Sequence, residues 1–225
     1  MTNKNIFVAC DVSSQKEILS LLELIHEDIS GIKIGLQYIT QRSPQEIREL
    51  SRFKKPIFYD GKFFDIKNTL VESIKSLKNL NVNYATVHLL NGLDALKTAN
   101  QAAQEINLNL LGISILTSFD DEDLESLGFR NKVKDQVKIL IKIAMEAQLY
   151  GVVCSPLEVK AIKEIAPKLK CFTPGIRQNN GKNDQKRTMN ANEAIKEGSD
   201  CLIIGRPITR GDPKENIKNI LLSID

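Results

Sequence analysis

The stretch Phe58-Tyr59-Asp60-Gly61-Lys62-Phe63-Phe64-Asp65-Ile66-Lys67-Asn68-Thr69 gathers the side chains best suited to chemistry. Residues two apart on a β-strand share a face. Asp60 and Lys62 therefore project together, an acid beside a base, near the strand's C-terminal end. Asp65 follows where the chain leaves the strand. Charges of alternating sign at such a place are costly to desolvate unless they pair. They suit either an active site or a structural ion-pair cluster. Lys62 between carboxylates is an ammonium fitted to donate a proton, not the free amine that a Schiff base needs. The chain offers no nucleophilic triad, no Gly-x-Ser-x-Gly elbow and no strong metal cage.

The elements that must hold these groups alternate. Short apolar runs read as strands at residues 6–10, ending at Asp11, and at 31–35, with Lys33 as the one charge. The opening stretch is the third, and 84–88 the fourth, ending at His88. The fifth covers 110–116 before Thr117-Ser118. The rest are 151–154, 170–173 before Pro174-Gly175, and 201–204 running into Gly205-Arg206. Helix starts lie between them. Ser14 precedes Glu17, Ser43-Pro44 precedes Glu46, Ser155-Pro156 precedes Glu158, Asn190 precedes Glu193, and Asp212-Pro213 opens the last helix. These are capping spacings, with proline at the first helical position in three of them. A polar run follows Ser118, then a long helix through Val137, Leu140, Ile141 and Ala144.

Continuous apolar strands suit a parallel sheet covered on both faces. Eight βα units in 225 residues fit an α/β TIM (β/α)8 barrel, with a doubly wound open sheet as the alternative. Hydrophobic residues make up 42% of the chain, enough for one sizeable core. No linker or low-complexity segment divides it, so residues 1–225 read as a single domain. A net charge of +3, with Lys and Arg scattered among acids, gives no case for nucleic acid. The N-terminal apolar run is too short for a signal peptide or membrane span, so a cytoplasmic protein is expected. Cys10, Cys154, Cys171 and Cys201 lack metal-ligand spacing and read as buried thiols in a reducing compartment.

Asp11, Lys33, Asp60, Lys62, His88, Thr117 and Gly205-Arg206 all fall at strand ends. In a closed barrel those ends share the face that carries the site. Ile204-Gly205-Arg206-Pro207 suits a phosphate cradle, since loops after strands seven and eight commonly hold phosphate. Arg206 offers a planar fork for its oxygens. Arg177 and Gln185 could add donors from the polar stretch 177–187, which suits a ligand-ordered lid. The plain alternative is a surface arginine and a solvated turn. His88 and His26 read as structural residues, His88 hydrogen-bonded and His26 on a helix surface.

The run Asp60 to Thr69, together with Asp11, Lys33, Leu116-Thr117-Ser118, Thr173-Pro174-Gly175-Ile176-Arg177, Asp184-Gln185 and Ile204-Gly205-Arg206-Pro207, resembles bacterial orotidine 5′-phosphate decarboxylases. The likeness runs in order through nearly the whole chain. It implies decarboxylation of orotidine monophosphate to uridine monophosphate, without metal or organic cofactor. Lys33, Asp60, Lys62 and Asp65 match that family's charged network, with Lys62 as proton donor. The resemblance gives ribose contacts to Asp11 and Lys33, and a pyrimidine contact to Thr117. It gives phosphate contacts to Arg177, Gln185, Gly205 and Arg206. It also implies a homodimer in which Asp65 and Thr69 serve the neighbouring subunit's site.

The family usually has leucine at Gly61, histidine at Phe64, proline at Lys67, and small residues at Leu89-Leu90. Gly61 is expected to loosen the strand, and the two leucines to add bulk at a strand end. Two rival readings stand beside the resemblance. One is a related sugar-phosphate lyase with the same Asp-x-Lys-x-x-Asp run, which uses magnesium and carries an acid in place of Lys33. The other is a non-catalytic phosphate-binding barrel.

Overall fold

The computed structural model describes residues 5–12, 14–177 and 187–224. Eight parallel strands close into a barrel in chain order. They are β1 (Ile6–Ala9), β2 (Gly31–Gly35), β3 (Ile57–Phe63), β4 (Tyr84–His88), β5 (Asn109–Ile113), β6 (Gly151–Val153), β7 (Lys170–Thr173) and β8 (Cys201–Ile204). Closure is made by β1 against β8, with Phe7 opposite Ile203. This excludes the open sheet. At least one helix follows every strand.

The strands alternate as the period-two rule demands. Ile6 and Val8 pack outward against Ile18, Leu22 and Ile217 of the surrounding helices. Phe7 and Ala9 point inward. Phe7, Phe58 and Phe172 meet edge to face at centroid distances of 6.0–6.4 Å, and Tyr84 joins them at 5.6 Å from Phe7. Edge-to-face contact is a favoured arrangement of aromatic quadrupoles. Gly31 makes room for this plug, since a Cβ there would lie 2.2 Å from the Phe7 ring.

The capping signals form as read. Ser14 accepts from the Glu17 amide, and Ser43–Glu46, Ser155–Glu158 and Asn190–Glu193 close reciprocal capping boxes. The polar run after Ser118 does more than connect. Asp120 and Asp123 cap a short helix, Asp121–Ser126, before the long helix Val133–Glu146. All four cysteines are free and buried. Among the described residues, no helix is long and apolar enough to cross a membrane.

Candidate active site

The C-terminal ends of the strands surround a cavity of about 630 Å³. Asp11, Lys33, Asp60, Lys62, Thr117, Arg177, Gly205 and Arg206 line it, with Ile113, Leu116, Val153, Pro174 and Ile203 as apolar wall. Of the candidate residues, Asp65 and Thr69 are exposed and are not part of this lining. Gln185 lies outside the described residues, as do Asp184 and most of the stretch 177–187.

The charged side chains form one line. Lys33 Nζ donates to Asp11 Oδ1 at 2.8 Å and lies 3.9 Å from Asp60 Oδ2. That same Asp60 oxygen accepts from Lys62 Nζ at 2.7 Å. Lys33 is buried, and Asp60 nearly so, while Asp11 opens to the cavity mouth. Two ammoniums and two carboxylates thus alternate. Removing Asp60 would take the carboxylate from Lys62, and removing Lys33 the ammonium from Asp11. Both of those end groups are partly exposed, so the loss falls below the figure of about 3–5 kcal/mol for a fully buried pair.

Lys62 reaches this place through an irregular backbone. Between β3 and β4 the register runs from Tyr59 opposite Ala85 to Phe63 opposite Val87, so β3 carries extra residues there. Such a bulge re-aims side chains. Lys62 takes φ 49° within it, a left-handed conformation that bulky residues seldom adopt. Gly61 is not slack. Tyr59 and Phe63 stack almost parallel, 5.9 Å apart, and a Cβ on Gly61 would lie 2.8 Å from the Tyr59 ring.

Sequence reasoning missed two polar anchors. Thr86, fully buried on β4, accepts the Lys62 amide at 2.8 Å and donates to Asp60 Oδ1 at 3.0 Å. Its position two residues after Tyr84, whose ring points inward to Phe7, was the available signal. Arg187 pairs with Glu158 and donates to the Ile115 and Leu116 carbonyls at 3.2 and 2.8 Å. It thereby braces the wall beside Thr117. Glu158 was legible only as a cap, and it does accept from the Ser155 amide.

After β8, beside Asp11, Arg206 opens a one-turn helix, Arg206–Thr209, whose N-cap Gly205 brings no competing side chain. Arg177 follows Ile176, which forms a bridge with Met189. The two backbone bonds, Arg177 N to Met189 O and Met189 N to Gly175 O, hold that strand-like pair.

His88 departs from its expected structural hydrogen bond: its Nδ1 is buried without a partner. Its ring lies 5.6 Å from that of Phe64. Burial, and then the Lys62 charge, push its pKa below the usual histidine value. Leu89 is buried in the core, whereas Leu90 and Phe64 are exposed. Among the described residues, no group of three or more His, Cys, Asp or Glu converges as a metal would require.

The profile of the "Orotidine 5'-phosphate decarboxylase / HUMPS family" matches residues 4–220. The chain belongs to that family. An orotidine 5′-phosphate decarboxylase of Wolbachia pipientis is 38% identical over 221 residues, covering 97% of this chain and 98% of that one. One from Legionella pneumophila strain Lens is 38% identical over 232 residues, covering 99% of each. The crystal structure of the Lactobacillus acidophilus orotidine 5′-phosphate decarboxylase superposes with a TM-score of 0.86 at 29% identity, covering 99% of each chain. Family membership and barrel agree, and the alternating line of charges sits on the face where such barrels hold their sites.

Proposed function

We propose that this chain decarboxylates orotidine 5′-monophosphate to uridine 5′-monophosphate, acting as one cytoplasmic barrel domain over residues 1–225. The observation that carries the reading is the Lys62 ammonium, held 2.7 Å from Asp60 in a cavity that also takes in Arg206. The C6–carboxylate bond breaks, carbon dioxide leaves, and the electron pair stays on C6. Lys62 Nζ gives its proton to that carbon and is reprotonated from water. Asp60 holds the ammonium in place beside the departing group. Fixed charges that need no reorganisation stabilise the developing carbanion.

Asp11 and Lys33 hold the ribose hydroxyls, and Thr117 meets the pyrimidine edge. Arg177, Gln185, Gly205 and Arg206 take the phosphate, whose remote binding energy serves the chemical step. Asp65 and Thr69, exposed on one chain, complete the site of a second copy. Phe64 and Ile66, 62% and 74% exposed, supply an apolar patch beside them that a homodimer would cover. The reaction uses neither metal nor organic cofactor.

The magnesium-using lyase is the rival. Lys33 argues against it, because a built-in ammonium already lies between Asp11 and Asp60. The test is the fall in absorbance as orotidine monophosphate is consumed. Wild type should turn over with or without EDTA. Lys62→Ala should lose about 10²- to 10⁴-fold in kcat, the range for a positioned proton donor. Equal background from the two proteins would end the reading. Activity abolished by EDTA and restored by magnesium would favour the rival.

A further inference from the structure

We infer that Thr86 is a positioning residue for the decarboxylation, setting both the Asp60 carboxylate and the Lys62 backbone through one hydroxyl. This rests on the function proposed above. Thr86 is fully buried on the inward face of β4 and lies outside the cavity lining. It therefore acts through its neighbours.

The directions of its two hydrogen bonds are fixed by chemistry. A backbone N–H can only donate, so the Lys62 amide, 2.8 Å away, uses a lone pair of Oγ1. The hydroxyl proton is left to point at Asp60 Oδ1, 3.0 Å away. With Oδ1 held by Thr86, Oδ2 is the oxygen turned to Lys62 Nζ, and it lies 3.9 Å from Lys33 Nζ. The carboxylate plane is thereby set between the two ammoniums.

The same hydroxyl serves the bulge. Among the described residues, Lys62 is the one non-glycine with positive φ inside a strand. The register break there removes regular ladder pairing between Tyr59 and Phe63. A buried amide left unpaired at such a point would favour a regular strand. Thr86 gives that amide its acceptor, so the proton-donating side chain is aimed by a bond on its own main chain.

The test is Thr86→Val, which keeps the shape and removes the hydroxyl, beside Thr86→Ser, which restores it. Thr86→Val should lower kcat by about 10- to 100-fold, because a misaimed donor is felt in the chemical step. Affinity for uridine monophosphate should stay within about twofold, since the phosphate and ribose contacts are elsewhere. Thr86→Ser should recover most of kcat. Wild-type kcat in a folded Thr86→Val protein would overturn the inference, and so would equal losses in kcat and nucleotide affinity. If wild type itself does not decarboxylate orotidine monophosphate, it is the proposed function that fails. Should Thr86→Val not fold, hydrogen exchange at the Lys62 amide of wild type decides the matter. Protection like that of neighbouring strand amides supports the bond, and exchange at loop rates overturns it.

Discussion

At the residue scale the decisive feature is how little of the site's geometry follows from regular strand structure. The pairing of Asp60 with Lys62 was expected from period two, and the structure delivers it through a bulge instead. The left-handed turn at Lys62 was not legible, because nothing in Tyr59-Asp60-Gly61-Lys62-Phe63 announces a bulge except the glycine. Gly61 was read as looseness, and the structure gives it a packing role beneath the stacked Tyr59 and Phe63 rings. Gly61→Leu should therefore force that stack apart and cost about 1–3 kcal/mol, the usual range for overpacking. Chemical denaturation would show it, and Tyr59→Ala in the same chain should relieve much of the loss. His88 supports a prediction about pH. Its native pKa is lowered, so the unfolded chain takes up a proton first as the pH falls. Stability should drop below the ordinary histidine value of 6.5 and level off once the native ring also titrates. His88→Gln should flatten that part of a melting-temperature profile. A variant as steep as wild type between about pH 7 and 5.5 would refute the assignment.

At the element scale the caps were the most legible part of the chain, since each is a local bargain between a side chain and the amides that follow it. Long-range staples were not, because their partners lie far apart in sequence. Asp200 shows this. It accepts from Lys163 and Lys170 at 2.5 and 2.9 Å and from the Cys171 amide at 2.8 Å. It thus ties β7 to the start of β8 and to the helix Val159–Ile165. Burial alone would raise its pKa, but these partners together hold it below the ordinary carboxylate value. The stability it contributes is present above that ordinary value and is lost as acid titrates the native carboxyl. Asp200→Asn should cost about 1–3 kcal/mol at neutral pH. Urea melts at pH 7 would measure this, and the difference from wild type should narrow in acid.

At the scale of the whole molecule, the barrel was readable from eight strand-and-helix alternations, and the cavity at its C-terminal face from polar residues recurring at strand ends. The proposed second subunit was not readable from spacing. It comes from the resemblance, and from exposed Phe64 and Ile66 beside Asp65 and Thr69. A composite site makes a sharp prediction. Lys62→Ala and Asp65→Ala should each be nearly inactive alone. Mixed and allowed to exchange subunits, they should regain about a quarter of wild-type activity, because half the dimers would carry one intact site. No recovery, with exchange verified by mass, would show that each chain builds its own site.

The plug of Phe7, Phe58, Tyr84 and Phe172 makes the barrel a cup and not a pipe. Whatever is released at its floor must climb out past whatever still occupies its mouth. In the proposed reaction, carbon dioxide formed beneath a nucleotide bound by its phosphate would be held briefly against the very carbon it left. The order in which the two products depart then decides how often the bond re-forms. Isotope exchange between labelled carbon dioxide and substrate, followed during turnover, would read that order directly.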